Sequence, residues 1–313
     1  MLILGEIRTC LLRNSTGVRQ TVVGELLRLI SGEQVWMSER PMAHAVSPEL
    51  VSGVDCPLPT RSGSRVRGVG TVAAHAVISA GRVLQGSVTA RVEPGRFDRR
   101  LPWSHYLSRP GVVEVIGKAD LDNVAHGFVL ESSTPAVLDL GSVSERLIGK
   151  VQTSAHLDHV IPFRSARTEM RWAALCDNEP AARLCQFTVG SDTTRTILLT
   201  VPEDELPDAV RFCEDVALHD WVLTTVLRIV GRGDLGSGSG PDILARLRPA
   251  VDHLLHVWMP GAHVPDSMMP FWRALERRSG FTRQWEATVA RIRDQLAMRM
   301  LTAFYETEPV PQR

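Results

Sequence analysis

The sequence predicts an α+β fold: a β-rich N-terminal half, then a small antiparallel meander, then a C-terminal helical bundle. Three observations carry this expectation. In residues 65–93, Val88, Ala90 and Val92 alternate with Ser87, Thr89 and Arg91, the period of a half-buried strand. Residues 167–175, 183–189 and 194–201 are strand-like runs joined by Asn/Glu/Pro and Gly/Ser/Asp turns, which read as a meander. Residues 203–232 carry Ala209, Phe212, Val216, Leu223, Val226, Leu227 and Val230 on one side of a helical wheel, and the chain beyond reads as helical. The expected division is a β-rich α+β region at 1–160 and a meander plus bundle at 161–313, with one continuous domain as the alternative.

In order, residues 2–12 read as a strand, and a turn at Asn14-Ser15-Thr16-Gly17 leads to a short helix at 20–30 with Val22, Leu26, Leu27 and Ile30. Residues 34–60 have no clean period and hold Pro41, Pro48, Pro57 and Pro59, so they read as extended and loop-rich. Ser79-Ala80-Gly81 suggests a hairpin turn. A short strand at 112–117 precedes helices at 119–130 and 142–155, the second with Ser142 and Glu145 in capping-box spacing.

In the 203–232 helix, Glu203, Asp204, Glu205 and Asp208 favour the positive end of the macrodipole, Pro207 suits an early position, and Gly231 and Gly233 end it. Residues 233–240 form a Gly/Ser connector. Helices follow at 241–258, bent at Pro249, and at 268–278 and 282–305, the last with Thr282 as N-cap. The 241–258 helix keeps Ile243, Leu247, Val251, Leu254 and Trp258 on one side. Seven acids against three arginines in 203–232, and the reverse in 268–299, suggest complementary packing faces.

At 313 residues, with 44% hydrophobic and 22% charged, the chain can bury a substantial core. Its net charge is zero, so the chain as a whole is not drawn to nucleic acid or an anionic membrane. Five scattered cysteines without a CxxC argue against a disulfide framework or structural zinc. Glu6 and Arg8 interrupt the apolar start before a signal-peptide core forms, and no run approaches a membrane span; a cytoplasmic location is expected. Lysine occurs only at Lys118 and Lys150, so arginine number reflects genome composition more than chemistry.

Asp215 and His219, four apart on the long helix, are the first catalytic candidates, because a carboxylate on one imidazole nitrogen fixes the tautomer and raises basicity. A buried hydrogen-bonded pair that secures packing is the competing reading. His253 and His256, three apart beside Asp252, have a spacing that can share a metal, although both fall off the apolar stripe. Residues 68–73, GVGTVA, match GxGxxA, but no βαβ succession surrounds them. Residues 59–109 hold nine arginines against two acids, with Trp103, His105 and Tyr106 interleaved. Within that strip Arg67, Arg99, Arg100 and Trp103 are ligand or phosphate candidates and His105 a further catalytic candidate. No Walker lysine, HExxH or GxSxG is present, and no cofactor is specified.

The blocks GEIRTCLL, SERPMAHAVSPEL, GVDCPLPT, VRGVGTVAAHAV, LPWSHYLSRPG, ALHDWVLTTVL, VDHLLHVWMPGA and GFTRQW resemble those of an uncharacterised actinobacterial family. That family occurs in a gene neighbourhood encoding a variant P-loop protein and a methyltransferase-like protein. The resemblance spans nearly the whole chain. It implies a bacterial cytoplasmic setting and a P-loop-like protein as partner, and supplies no catalytic residues.

The expected function is therefore a non-enzymatic component of a multiprotein system that binds a partner protein. The alternative is an enzyme or small-ligand-binding protein with its site at Asp215 and His219, joined by Trp103, His105 and Arg67. Nucleic-acid binding through residues 59–109 ranks third.

Overall fold

A strand that is apolar on both sides demands cover on both faces, and β1 (Leu2–Leu11) is buried along almost its whole length. Leu2 and Leu4 point into one core cluster, and Ile3 and Ile7 into a second on the opposite face. The computed structural model describes residues 1–63, 66–95, 97–130, 137–176, 183–191, 193–231 and 240–307.

After β1 come α1 (Gln20–Leu27), β2 (Trp36–Ser38), β3 (His44–Val46), β4 (Leu50–Leu58), β5 (Val66–Ser79) and β6 (Val83–Pro94). Then follow α2 (Trp103–Leu107), β7 (Val112–Ile116), α3 (Leu121–Leu130), α4 (Leu140–Gln152), β8 (Thr168–Cys176), β9 (Arg183–Val189) and β10 (Thr194–Val201). The chain continues through α5 (Leu206–Gly231), α6 (Gly240–His253), α7 (Met269–Ser279) and α8 (Phe281–Thr307). The fold is α+β, with a mixed sheet and C-terminal helices. The strand order is β2-β3-β5-β7-β6-β1-β8-β10-β9, with β4 beside β5. Helices α1, α3 and α4 pack on one face, and α5 to α8 on the other.

The hairpin expected at 79–81 joins β5 to β6, paired from Ser79↔Val83 to Ala73↔Thr89. Beyond Ala73 the two strands splay, and β7 enters the fork, antiparallel to β5 and parallel to β6. Gly70 permits this: a Cβ there would stand 2.0 Å from the Val112 carbonyl oxygen. The proline-containing stretch 34–60, expected to be extended and loop-rich, holds β2, β3 and β4. Its Pro57 sits in β4, which pairs with β5; the prolines hid a strand because β4 has an exposed, alternating face.

The antiparallel meander is not formed. β8 pairs antiparallel with β1, and β10 lies parallel to β8, so β9 falls outside them at the sheet edge. Three consecutive runs suggested a meander because sequence neighbours usually pair, but the apolar β10 is placed in the interior and β9 at the rim. The β1–β8 ladder pairs Leu2–Thr9 with Thr168–Leu175, so it joins residues from either side of position 160.

Two caps also differ from expectation. Asp139 caps α4 by accepting from the Ser142 N–H, so Ser142 lies inside the first turn. Thr282 does not cap α8, which begins at Phe281; its hydroxyl and N–H donate to Glu276 at the end of α7. Leu227 and Val251, placed on apolar stripes by periodicity, are exposed. The connector at 233–240 lies almost wholly outside the described residues.

Helix α5 is buried on every side from Phe212 to Leu223, since it lies between the sheet and α6 to α8. Among the described residues its acids do not pair with the arginines of α7 and α8 as expected: Glu214 bonds His75 on β5 and Asp220 pairs with Arg195 on β10. Its contact with α8 lies within the shared apolar cluster. No helix among the described residues is long and apolar enough to cross a membrane.

Candidate functional site

The four residues Ala-His-Ala-Val occur twice, at 43–46 and 74–77, and fold as neighbouring antiparallel strands, β3 and β5. On β5 the small apolar residues Ala74, Ala76 and Ile78 face the α1/α3/α4 core. Pleating therefore turns His75 and Ser79 to the other face, toward α5. His44 stands opposite Ser79 in the register, and its Nδ1 lies 3.3 Å from the Ser79 hydroxyl.

These histidines line a cleft of about 430 Å³ between the sheet and the N-terminal half of α5. Glu214 and Asp215 enter from α5, Gln85 from β6, and His263 from the segment between α6 and α7. Trp36, 57% exposed, stands at the rim with Glu49 and Arg211. The rings of His44 and His263 stack at 4.3 Å, with Trp36 edge-on to His44 at 5.9 Å.

His75 Nε2 is 2.6 Å from Glu214 Oε1, and Gln85 Nε2 donates to the Glu214 carbonyl oxygen. Burial disfavours both charged forms, but the mutual charge and hydrogen bond outweigh it, raising the His75 pKa and lowering that of Glu214. Around the other pair the balance reverses. Burial and the adjacent His263 ring push His44 down to about 4, and burial also lowers His263. The cleft thus sets an ionised His-Glu pair opposite two neutral imidazoles. Chemically, it offers hydrogen bonds of both senses and one imidazole whose protonated form Glu214 favours.

Asp215 and His219 are both buried, at 4% and 0% exposure. Nδ1 of His219 donates to the Asp215 backbone carbonyl at 2.7 Å, while Nε2 accepts from the Met259 N–H at 3.1 Å. A carbonyl only accepts and an amide N–H only donates, so the ring is neutral and both nitrogens are occupied. The Asp215 carboxylate lies 3.5 Å from that Nδ1, and its Oδ2 accepts from the Gly261 N–H at 2.8 Å and from Trp272 Nε1 at 3.0 Å. His219 fastens α5 to the segment after α6, and Asp215 alone of the two lines the cleft.

Other predicted residues lie elsewhere. Arg67 and Arg100 both hold Asp55 on β4, and Arg100 lies over the Trp103 ring at 5.2 Å. His105 bonds Glu114 at 2.9 Å, beside Arg109, which also holds Glu93. Arg99 is exposed. Arg67 and His75 share a face of β5 but are eight residues apart, about 26 Å at roughly 3.3 Å per residue; the expected grouping of Arg67, His105 and Trp103 with Asp215 is not assembled. His253, at the end of α6, meets the Arg82 guanidinium and the Phe163 ring. Burial and the Arg82 charge lower the pKa of both His253 and His256. No group of three or more His, Cys, Asp or Glu among the described residues is arranged to hold a metal ion.

His44, His75, His263 and Glu214 escaped the sequence reading. A signal was present: a histidine recurring in identical small, apolar flanks, each time on a strand whose alternate residues are core.

Comparison with known protein families, curated proteins and solved structures yields no match.

Proposed function

We propose that the protein binds a small polar molecule in the histidine cleft and exchanges a proton with it through His75, which Glu214 orients. The 2.6 Å His75–Glu214 hydrogen bond on the wall of an open cleft carries this reading. With Nε2 committed to Glu214, Nδ1 is the exchangeable position, and it makes no hydrogen bond among the described residues. Ultrafiltration with a bacterial metabolite extract, followed by mass spectrometry, tests the reading. A compound retained or converted by the wild type, and by neither His75→Asn nor Glu214→Gln, supports it. Identical profiles for the wild type and the folded variants overturn it.

A second reading, docking to a partner protein such as the P-loop-like neighbour of the resembled family, is favoured by exposed apolar side chains near the end of α8. Met298, Met300 and Leu301 are 64%, 65% and 54% exposed. Co-elution of that partner with the wild type, lost in a Met298→Lys/Leu301→Lys variant, is the result this reading expects.

A further inference from the structure

Asp215 is the buried carboxylate of the cleft with one oxygen left unsatisfied among the described residues. Only Oδ2 receives the Gly261 and Trp272 donors, while Oδ1 is buried and has no hydrogen-bond donor among the described residues. A buried carboxylate needs a counter-charge as well as hydrogen bonds. The surrounding groups supply none. His219, nearest at 3.5 Å from Oδ2, is neutral by its own hydrogen bonds. His44 and His263 disfavour protonation where they lie. The charge of His75 is answered by Glu214. Arg211, one turn earlier on α5, is exposed and makes no ion pair among the described residues, and Glu49 at the rim adds a further negative charge.

His263 lines the same cleft, and its Nε2 is likewise buried without a hydrogen-bond partner among the described residues. An acceptor oxygen and a ring nitrogen are therefore both unsatisfied. One group with several N–H donors and a positive charge satisfies both.

We propose that the cleft recognises a cationic nitrogen group, a primary ammonium or amidinium, and that Asp215 Oδ1 receives it. This rests on the reading of the cleft as a ligand site and names its ligand class. Trp36 at the rim provides an aromatic face for the same cation on entry.

Benzamidine, benzamide and benzoate share one shape and differ in charge, so titrating each against the full-length protein by NMR reads the charge preference directly. The expected result is benzamidine binding at least about tenfold tighter than benzamide, with benzoate weakest, the size of one charge-assisted contact. Asp215→Asn removes that preference. Benzamide or benzoate binding as tightly as benzamidine, or the preference surviving in Asp215→Asn, overturns the proposal. The wild-type series decides the matter even if Asp215→Asn does not fold. Failure of benzamidine to bind at millimolar concentration also overturns the ligand class, and leaves the cleft itself to be judged by the His75 retention experiment.

Discussion

His75 Nε2 and Glu214 Oε1 lie 2.6 Å apart and tie β5 to α5, the central helix of the opposite layer. The His75 pKa is raised from 6.5, so its contribution to stability is complete below 6.5 and lost as pH rises through the folded value. That of Glu214 is lowered from 4.5, so its contribution is complete above 4.5 and lost as pH falls through the folded value. Between pH 4.5 and 6.5 both shifts favour the ionised pair in the folded state. Glu214→Gln is expected to cost about 3 kcal/mol in that window, as a buried pair losing one partner. Urea denaturation of both proteins at pH 5.5 and 9 checks this; a difference that does not narrow at pH 9 contradicts the ionised pairing.

His219 is expected to be a structural fastener with a single tautomer. A ¹⁵N NMR spectrum should show Nδ1 protonated and Nε2 bare, as the Asp215 carbonyl and the Met259 N–H require. His219→Leu leaves the Met259 N–H unpaired near the core and should cost about 2 kcal/mol in chemical denaturation. A mixed-tautomer signal counts against the assignment.

β1, buried on both faces, was legible as an apolar run, and periodicity marked β6, α4 and the extent of α5. It failed where burial is two-sided or shared. The middle of α5 has no solvent face, so Leu227, on the apolar side of the wheel, emerges while Glu214 and Asp220 are buried. Strand order escaped too: nothing local in residues 183–201 says that β10 will lie parallel to β8. Asp215 was legible as a functional candidate, whereas His75 was hidden in a strand of small residues. Its partner on α5 is 139 positions away, a pairing no short motif contains.

The insertion of β7 makes Gly70 intolerant. Its missing Cβ would overlap the Val112 carbonyl, a backbone atom that cannot swing aside, so Gly70→Ala should cost upwards of about 3 kcal/mol or prevent folding. Gly149 in α4 offers the contrast, with open space where a Cβ would go. Gly149→Ala should raise stability by up to about 1 kcal/mol through helix propensity. Thermal melts of the two variants test both directions.

On the other face of the sheet, Glu6 is 1% exposed on β1, beneath the start of α4. Burial, joined by the charge of Glu169, raises its pKa to about 7 against the pull of Arg171 and Arg8. Glu145 and Arg167 complete the network around Arg8. Between pH 4.5 and 7 the unfolded chain has released this proton while the folded chain keeps it, so stability falls as pH rises. The shift corresponds to on the order of 3 kcal/mol across that interval. Glu6→Gln has a neutral side chain at every pH and should lack this decline, although it weakens the contacts with Arg8 and Arg171. Urea midpoints at pH 5, 6, 7 and 8 separate the two effects, since the lost contacts shift all four together while the removed titration flattens their slope. Parallel pH profiles for Glu6→Gln and the wild type would show that Glu6 is already ionised at pH 5, with Arg171 and Arg8 outweighing burial.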